Sequence, residues 1–270
     1  MDAVPVRVSL LQIDVKADEP ASARRERVAG LVRQQRGADL VVLPELWGIG
    51  AFSFDGFHEH AEPLDGPTAR AMSAAAHDAE VWLHAGSIVE RDGDGALYNT
   101  SLLFSPDGGL HRTYRKIHRF GFDQGEAALM SRGDEIVTAH LAGPDVTVGL
   151  ATCYDLRFPE QFRQLVDAGA QVIVVPAGWP ARRRAHWSLL TRARAVESQA
   201  YVVACNTAGT HAGVEQAGYS AVIDPWGEVV AEAGAGEETL VAEFDPAVVA
   251  ETRAEFPALR DRVLGLPQPV

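Results

Sequence analysis

Three side chains of reactive type stand at the ends of strand-like runs. Glu45 closes "LVVLPEL", Lys116 follows "HRTYR" and Cys153 follows "VTVGLAT". A carboxylate, an ammonium and a thiol suit proton transfer, charge stabilisation and nucleophilic attack. Each also has an inert reading. A free cysteine is among the most buried residue types, and Cys153 judged by itself is a small core hydrophobe. Glu45 alone is a strand-end carboxylate meeting solvent, and Lys116 alone is an exposed hairpin lysine. Their joint occurrence at strand ends favours chemistry, because reactive residues of α/β sheets collect just past the carboxyl ends of strands.

The surroundings of Cys153 strengthen that reading. A strand that turns into a helix places backbone N–H groups and positive potential at the turn residue, lowering a thiol pKa and offering oxyanion donors. Pro159 and Glu160 suit an early helical turn. Cys205, within "YVVACNTAG", has no such context and is expected in the core.

The elements that must hold these residues follow from hydrophobic pattern. "VRVSLLQIDV" (6–15) reads as a first strand, and 21–37 as a helix with Val28, Leu31 and Val32 at helical spacing and Gly37 as its stop. "ADLVVLPEL" (38–46) is the continuous run of a strand covered on both faces. A helix over 68–80 and a strand over 81–90 come next. Pro106-Asp107-Gly108-Gly109 predicts a hairpin turn. "VTVGLATCYDL", "QVIVVPAG" and "YVVACNTAG" then read as strands, separated by a helix stopped at Gly169 and a long helix over 186–200. A second hairpin turns at Pro225-Trp226-Gly227, and "RAEFPALRDRVLGLPQPV" predicts a short helix and a tail. No repeat or linker interrupts this order. It predicts a single α/β domain over 1–270 with mixed sheet and outer helices. About ten strands are many for one sheet, which favours two stacked ones.

Composition removes several classes of function. A net charge of −13 argues against nucleic acid or an anionic membrane as partner. No apolar run is long enough for a membrane span. The start reads as a strand and not as a secretion signal, and two cysteines make no disulfide framework, so a reducing cytoplasm is expected. "FHEH" offers only His58, Glu59 and His60, a partial metal site at most, and "DGDG" (92–95) reads as a turn. "WGIGAF" lacks the third glycine of a dinucleotide fingerprint. No metal and no cofactor are expected. The run Arg182-Arg183-Arg184 reads first as a solvated loop or interface patch.

At this point a resemblance becomes specific. "LVVLPELWGIG", "YRKIHRFGFDQGE" and "GLATCYDLRFPE" resemble, in order and type, the three signature segments of the nitrilase superfamily of carbon–nitrogen hydrolases. The likeness extends through "ALYNTSLLFSPDG", "VPAGWP", "HWSLLTRARAVESQAYVVACN" and "GYSAVIDPWGEVVAEA". It implies a four-layer αββα sandwich carrying a Glu–Lys–Cys triad of Glu45, Lys116 and Cys153. It also implies a second glutamate that orients substrate or the lysine, for which Glu126 fits better than Glu135. A homodimer or larger assembly follows from the same resemblance, using the helix after the cysteine and a carboxyl-terminal tail (246–270). Two segments depart from the family pattern. "KIHRFGFD" has Arg119 in place of leucine and two added residues before Asp123, and "WGIGAFSFD" replaces a pattern ending in Gly-Tyr.

The chemistry implied is thiol-mediated amide hydrolysis. Glu45 takes the thiol proton, Lys116 and the Tyr154 N–H hold the oxyanion, and a thioester on Cys153 is then hydrolysed. Free glutamate and cysteine differ by about four pKa units, so unassisted transfer costs roughly 5–6 kcal/mol. Lys116 and the helix terminus are expected to narrow that gap by lowering the thiol. The "CYDLRFPE" motif looks most like the omega-amidase and deaminated-glutathione amidase branch, which implies a small amide of a dicarboxylic or 2-oxo acid. Phe52, Arg157, Ala177 and Trp179 are the expected substrate contacts, with Arg157 or the Arg182–Arg184 cluster meeting a carboxylate. Two alternatives stay open: a nitrile substrate at the same cysteine, and an idle binding module with an oxidisable thiol.

Overall fold

The computed structural model describes residues 5–264. The first half of the chain supplies β1 (Val6–Gln12), β2 (Leu40–Val42), β3 (Trp82–Arg91), β4 (Leu97–Phe104) and β5 (Leu110–Arg115). The second supplies β6 (Thr138–Leu141), β7 (Val146–Leu150), β8 (Val172–Ala177), β9 (Tyr201–Asn206), the small ribbon β10 (Thr210–His211) and β11 (Val214–Glu215), then β12 (Ala221–Ile223), β13 (Val229–Glu232) and β14 (Glu238–Phe244). They form two six-stranded sheets, ordered β14-β1-β2-β3-β4-β5 and β13-β12-β9-β8-β7-β6. In each sheet the three central strands are parallel and the flanking ones antiparallel.

Alternation along the central strands explains the layering. Val8, Leu40, Val42, Val148, Leu150, Val172, Val174 and Val203 meet between the sheets in one buried cluster. The intervening residues, Leu11, Val41 and Leu43 in one sheet and Ile173, Val175 and Ala177 in the other, face outward into separate clusters. Each fully buried Val or Leu contributes about 1.5–3 kcal/mol of apolar burial, so strands covered on both faces read as unbroken apolar runs. Helices α1 (Ala21–Arg33) and α3 (Pro67–Ala79) cover the first sheet, through Val28, Val32, Met72 and Ala76. The short helices α2 (Phe57–His60) and α4 (Glu126–Leu129) sit in loops, while α5 (Pro159–Asp167) and α6 (Arg184–Ser198) cover the second sheet. The result is the αββα sandwich. No helix among the described residues is long and apolar enough to cross a membrane.

Several boundaries differ from the expected ones. The run 38–46 is a strand only over Leu40–Val42, because Pro44 has no N–H for the ladder and the chain leaves the sheet there. Strands β6 and β14 escape the pattern reading. Only Leu240, Ala242 and Phe244 of β14 are buried, so its apolar signal is confined to one face of an edge strand that pairs antiparallel with β1. The closing helix, α7 (Ala247–Glu255), begins earlier than "RAEFPALRDRVLG" suggests. Pro257 explains its end: the residue before a proline is steered out of the helical region, and Phe256 sits at φ −126, ψ 82. Val249 is buried in the cluster between the sheets, and Arg253 donates to the carbonyls of Gln199 and Ala170. The tail beyond residue 264 lies outside the described residues.

Candidate active site

Glu45 is aimed by a tight crossing of two backbones. Leu43 N–H makes the last rung to the His84 carbonyl, and Leu46 N–H donates to Ser87 Oγ at 3.1 Å. Leu46 itself adopts φ 45. The approach needs a glycine in β3: a Cβ on Gly86 would fall 1.9 Å from the Pro44 carbonyl oxygen. Lys116 leaves β5 with its N–H on the Asn99 carbonyl and its own carbonyl accepting from Gly133 N–H, both at 2.9 Å. Gly133 is required there too, since a Cβ would lie 2.0 Å from the Arg115 oxygen.

Cys153 sits three residues beyond β7, at the start of a 3-10 turn spanning Cys153–Arg157. Its φ of 46 is left-handed, a conformation that costs a non-glycine residue roughly 1–2 kcal/mol. A capping box between Thr152 and Asp155 holds the turn. The expected passage straight into an α-helix is corrected. Pro159 steers Phe158 to φ −116, ψ 91, so the turn is interrupted and α5 starts only at Pro159.

These loops bring the four groups together. Lys116 Nζ lies 2.7 Å from Glu45 Oε1 and 2.7 Å from Glu126 Oε2. Asn99 Nδ2 donates to Glu45 Oε1 at 2.8 Å and to Glu126 Oε1 at 2.5 Å. Gly178 N–H donates to Glu45 Oε2 and Phe120 N–H to Glu126 Oε2. All four side chains, and that of Asn99, are buried. Glu135, the other carboxylate weighed for the role of Glu126, is exposed.

The electrostatics depart from expectation at the thiol. Burial pushes the Cys153 thiol well above the ordinary range, Glu45 raises it further, and Lys116 offsets this only in part. Two buried carboxylates outweigh one ammonium. Lys116 does lower the thiol as expected, but too little to prevail, and the α-helix expected to help it starts only at Pro159. Burial alone would lower Lys116, yet Glu126 and Glu45 hold its ammonium well above its usual value. Burial raises Glu126 against the pull of Lys116, with Glu45 adding to the rise. The thiol is therefore held toward its neutral form, beside a lysine bridged between two carboxyl groups.

Above these groups lies an open cavity of about 360 Å³, walled by Phe52, Phe120, Tyr154, Trp179, Arg157 and Arg183. Phe52, Arg157 and Trp179, three of the four expected substrate contacts, line this cavity. Ala177, the fourth, does not: it is fully buried beneath the outer helices, because strand alternation turns it away from the cavity and leaves the next residue, Gly178, at the wall. Of the arginine run, Arg183 reaches the cavity, with its guanidinium 5.3 Å from the Phe120 ring centre. The Arg157 guanidinium lies over Trp179 at 4.8 Å. Neither is in an ion pair among the described residues. His58 and His60 are exposed, and the described residues hold no cluster of three or more metal-ligating side chains. Cys205 is fully buried in the core.

Asn99 and the Gly178 N–H carry no sequence signal of this role. An asparagine within the strand "LYNTS" is the one available hint: a polar residue on a buried strand needs a partner. Asn99→Leu removes the donor shared by both carboxylates. Hydrogen bonds to charged groups contribute about 1.5–3 kcal/mol each. The variant is expected to lose about 2–4 kcal/mol in urea denaturation and to lower kcat roughly 10–100-fold in steady-state assays.

Known proteins resemble this chain over nearly its whole length. A protein from Xanthomonas campestris, described as a CN-hydrolase superfamily protein with an arsenic adduct in its active site, superposes with a TM-score of 0.89 at 32% identity, covering 98% of this chain and 99% of its own. A 2-oxoglutaramate amidase of Paenarthrobacter nicotinovorans is 41% identical over 260 residues, 94% of this chain and 88% of the relative. The human omega-amidase NIT2 is 35% identical over 266 residues, 95% and 94% of the two chains. The family model described as carbon–nitrogen hydrolase matches residues 7–254, from the first strand into α7. With all three signature segments inside that span, the chain belongs to the carbon–nitrogen hydrolase family.

Proposed function

We propose that this hydrolase cleaves the amide of a small carboxylated substrate, as a 2-oxoglutaramate-type amidase, through a thioester on Cys153. The observation that carries the reading is the convergence of Glu45, Lys116, Glu126 and Cys153 on one cavity that also holds Arg157 and Arg183. Among those charged side chains, three cations face two carboxylates. The excess positive charge suits an anionic substrate.

The Cys153 sulfur attacks the amide carbon as Glu45 removes its proton, so no standing thiolate is needed. The carbonyl π electrons move to oxygen. An ammonium has three donors, and Glu45 and Glu126 take two of those on Lys116, which leaves one for the oxyanion. The Tyr154 N–H, near the start of the 3-10 turn, is the second oxyanion donor. Glu45 passes the proton to nitrogen, the C–N bond breaks, and ammonia leaves the thioester behind. Water, deprotonated by the same carboxylate, then adds to the thioester carbon; the C–S bond breaks, Glu45 returns that proton to the sulfur, and the acid is released. Glu126 and Asn99 keep Lys116 and Glu45 in register throughout.

Ammonia release from a panel of amides and nitriles tests the reaction class. The expected order places monoamides of dicarboxylic and 2-oxo acids first. Faster turnover of nitriles, or of neutral amides, overturns it. Arg157→Gln and Arg183→Gln test the carboxylate contact. Each is expected to raise KM for a carboxylated amide about 10–100-fold, the weight of a charge-assisted hydrogen bond, and that for a neutral amide less than about threefold. Equal shifts for both substrates would remove the arginines from the binding role.

The same reading includes a homo-oligomer in a reducing, cytoplasmic setting. Both cysteines are free thiols, and α6 exposes Leu189 and Val196 beside Trp226 in one apolar groove. Sedimentation velocity reads the assembly directly.

A further inference from the structure

One fully buried carboxylate takes no part in the chemistry above, yet it bonds to two of the segments that do. Asp155 lies two residues after Cys153. Its Oδ2 accepts from Thr152 N–H at 2.8 Å and from the Tyr114 hydroxyl at 2.7 Å. Its Oδ1 accepts from His118 N–H at 2.9 Å and lies 2.8 Å from His118 Nδ1. Tyr114 and His118 flank Lys116, two residues before and two after it. The Tyr114 hydroxyl in turn accepts from Ile117 N–H and from Gln161 Nε2 on α5. The His118 ring is stacked on Phe158 with centres 3.7 Å apart and planes 6° from parallel.

We propose that Asp155 is a positioning residue that fixes the distance between the Cys153 sulfur and the Lys116 ammonium. This rests on the roles given to Cys153 and Lys116 above. The geometry is that of a cross-brace. One bond goes to the backbone just before the nucleophile, and three go to the residues around the lysine, so neither segment can shift without breaking bonds to a charged acceptor. Such bonds are shorter and about twice as strong as neutral ones. Packing alone does not call for a carboxylate here, since a buried charge is costly unless its bonds are all made. The left-handed Cys153 backbone adds a second need, because a strained residue persists only where its surroundings over-determine it. The Thr152–Asp155 capping box provides that constraint on one side of the sulfur, while Tyr114 and His118 register the lysine on the other.

Asp155→Asn tests the brace. The amide keeps one acceptor but in either orientation presents its NH₂ to a backbone N–H donor, that of Thr152 or that of His118. The expected result is a kcat lowered about 100-fold, the effect of a displacement near 1 Å, with KM within about threefold of wild type. Alkylation of Cys153 by iodoacetamide at fixed pH should slow as well. Tyr114→Phe, which removes one arm and preserves packing, should lower kcat about tenfold. The double variant should be no slower than Asp155→Asn alone, because both changes release the same constraint. A residue serving stability alone would shift the melting temperature and leave kcat and alkylation of the folded fraction unchanged. A folded Asp155→Asn enzyme with kcat within threefold of wild type overturns the proposal. If that variant does not fold, Tyr114→Phe decides, and an unchanged kcat there overturns it equally. Failure of the underlying reading is separable: in that case Cys153→Ala itself retains turnover.

Discussion

Cys153→Ala is expected to abolish turnover while leaving a folded protein that still binds substrate. No acyl intermediate can form without the sulfur, and loss of a nucleophile lowers kcat by a factor on the order of 10⁴ or more, equivalent to at least about 5.5 kcal/mol of transition-state stabilisation. The structural cost is small. The side chain is 8% exposed, alanine carries the same left-handed strain, and a single small truncation of this kind changes stability by about 1 kcal/mol. Intact-protein mass spectrometry of quenched turnover should show an acyl adduct on the wild type and none on the variant. Retained turnover in the variant, or wild type that never acylates with its best substrate, sinks the thioester mechanism. The raised thiol pKa gives a companion result with a definite sign. A thiol held above its ordinary value keeps gaining thiolate as pH rises through the usual thiol range. Iodoacetamide labelling in the absence of substrate should therefore still be accelerating at pH 9, where an ordinary cysteine is already levelling off.

Lys116→Met is expected to cost both activity and fold. The ammonium is the only cation within 4.0 Å of either Glu45 or Glu126 among the described residues, and all three side chains are buried. Its removal strands two carboxylates that share one Asn99 amide. Breaking a buried charge pair from one side costs about 3–5 kcal/mol, chiefly through the unpaired charge left behind. The kinetic loss is of the size seen when an oxyanion donor is removed, about 10²–10³ in kcat, with misplacement of Glu45 in addition. Pairing it with Glu126→Gln separates the two effects. The double variant should regain much of the urea stability, since one buried negative charge is gone, and regain none of the activity. Recovery of both together would mean that Lys116 is only structural.

The layer order and the candidate reactive groups are legible in the residues alone. Unbroken apolar runs such as "QVIVVPAG" arise because both faces of a central strand are covered, and helical spacing marks the outer layers. Glu45 and Cys153 stand out because each follows such a run, whereas Lys116 follows the mostly polar β5 and stands out only through its signature segment. Edge elements were not legible. Strand β14 buries only alternate residues, and its pairing with β1 joins residues more than 200 positions apart. The upward shift of the thiol pKa comes only from tertiary structure, because desolvation and the balance of two carboxylates against one lysine depend on which loops meet. Tertiary structure alone decided that Asn99 bridges Glu45 and Glu126, and that Gly178, not Ala177, lines the cavity beside Cys153. It also chose Arg183 from a run of three arginines. The physical reason is common to all of these. A residue type states what a group can do, and only the fold states which partners, at which distance and out of how much water, it does it with.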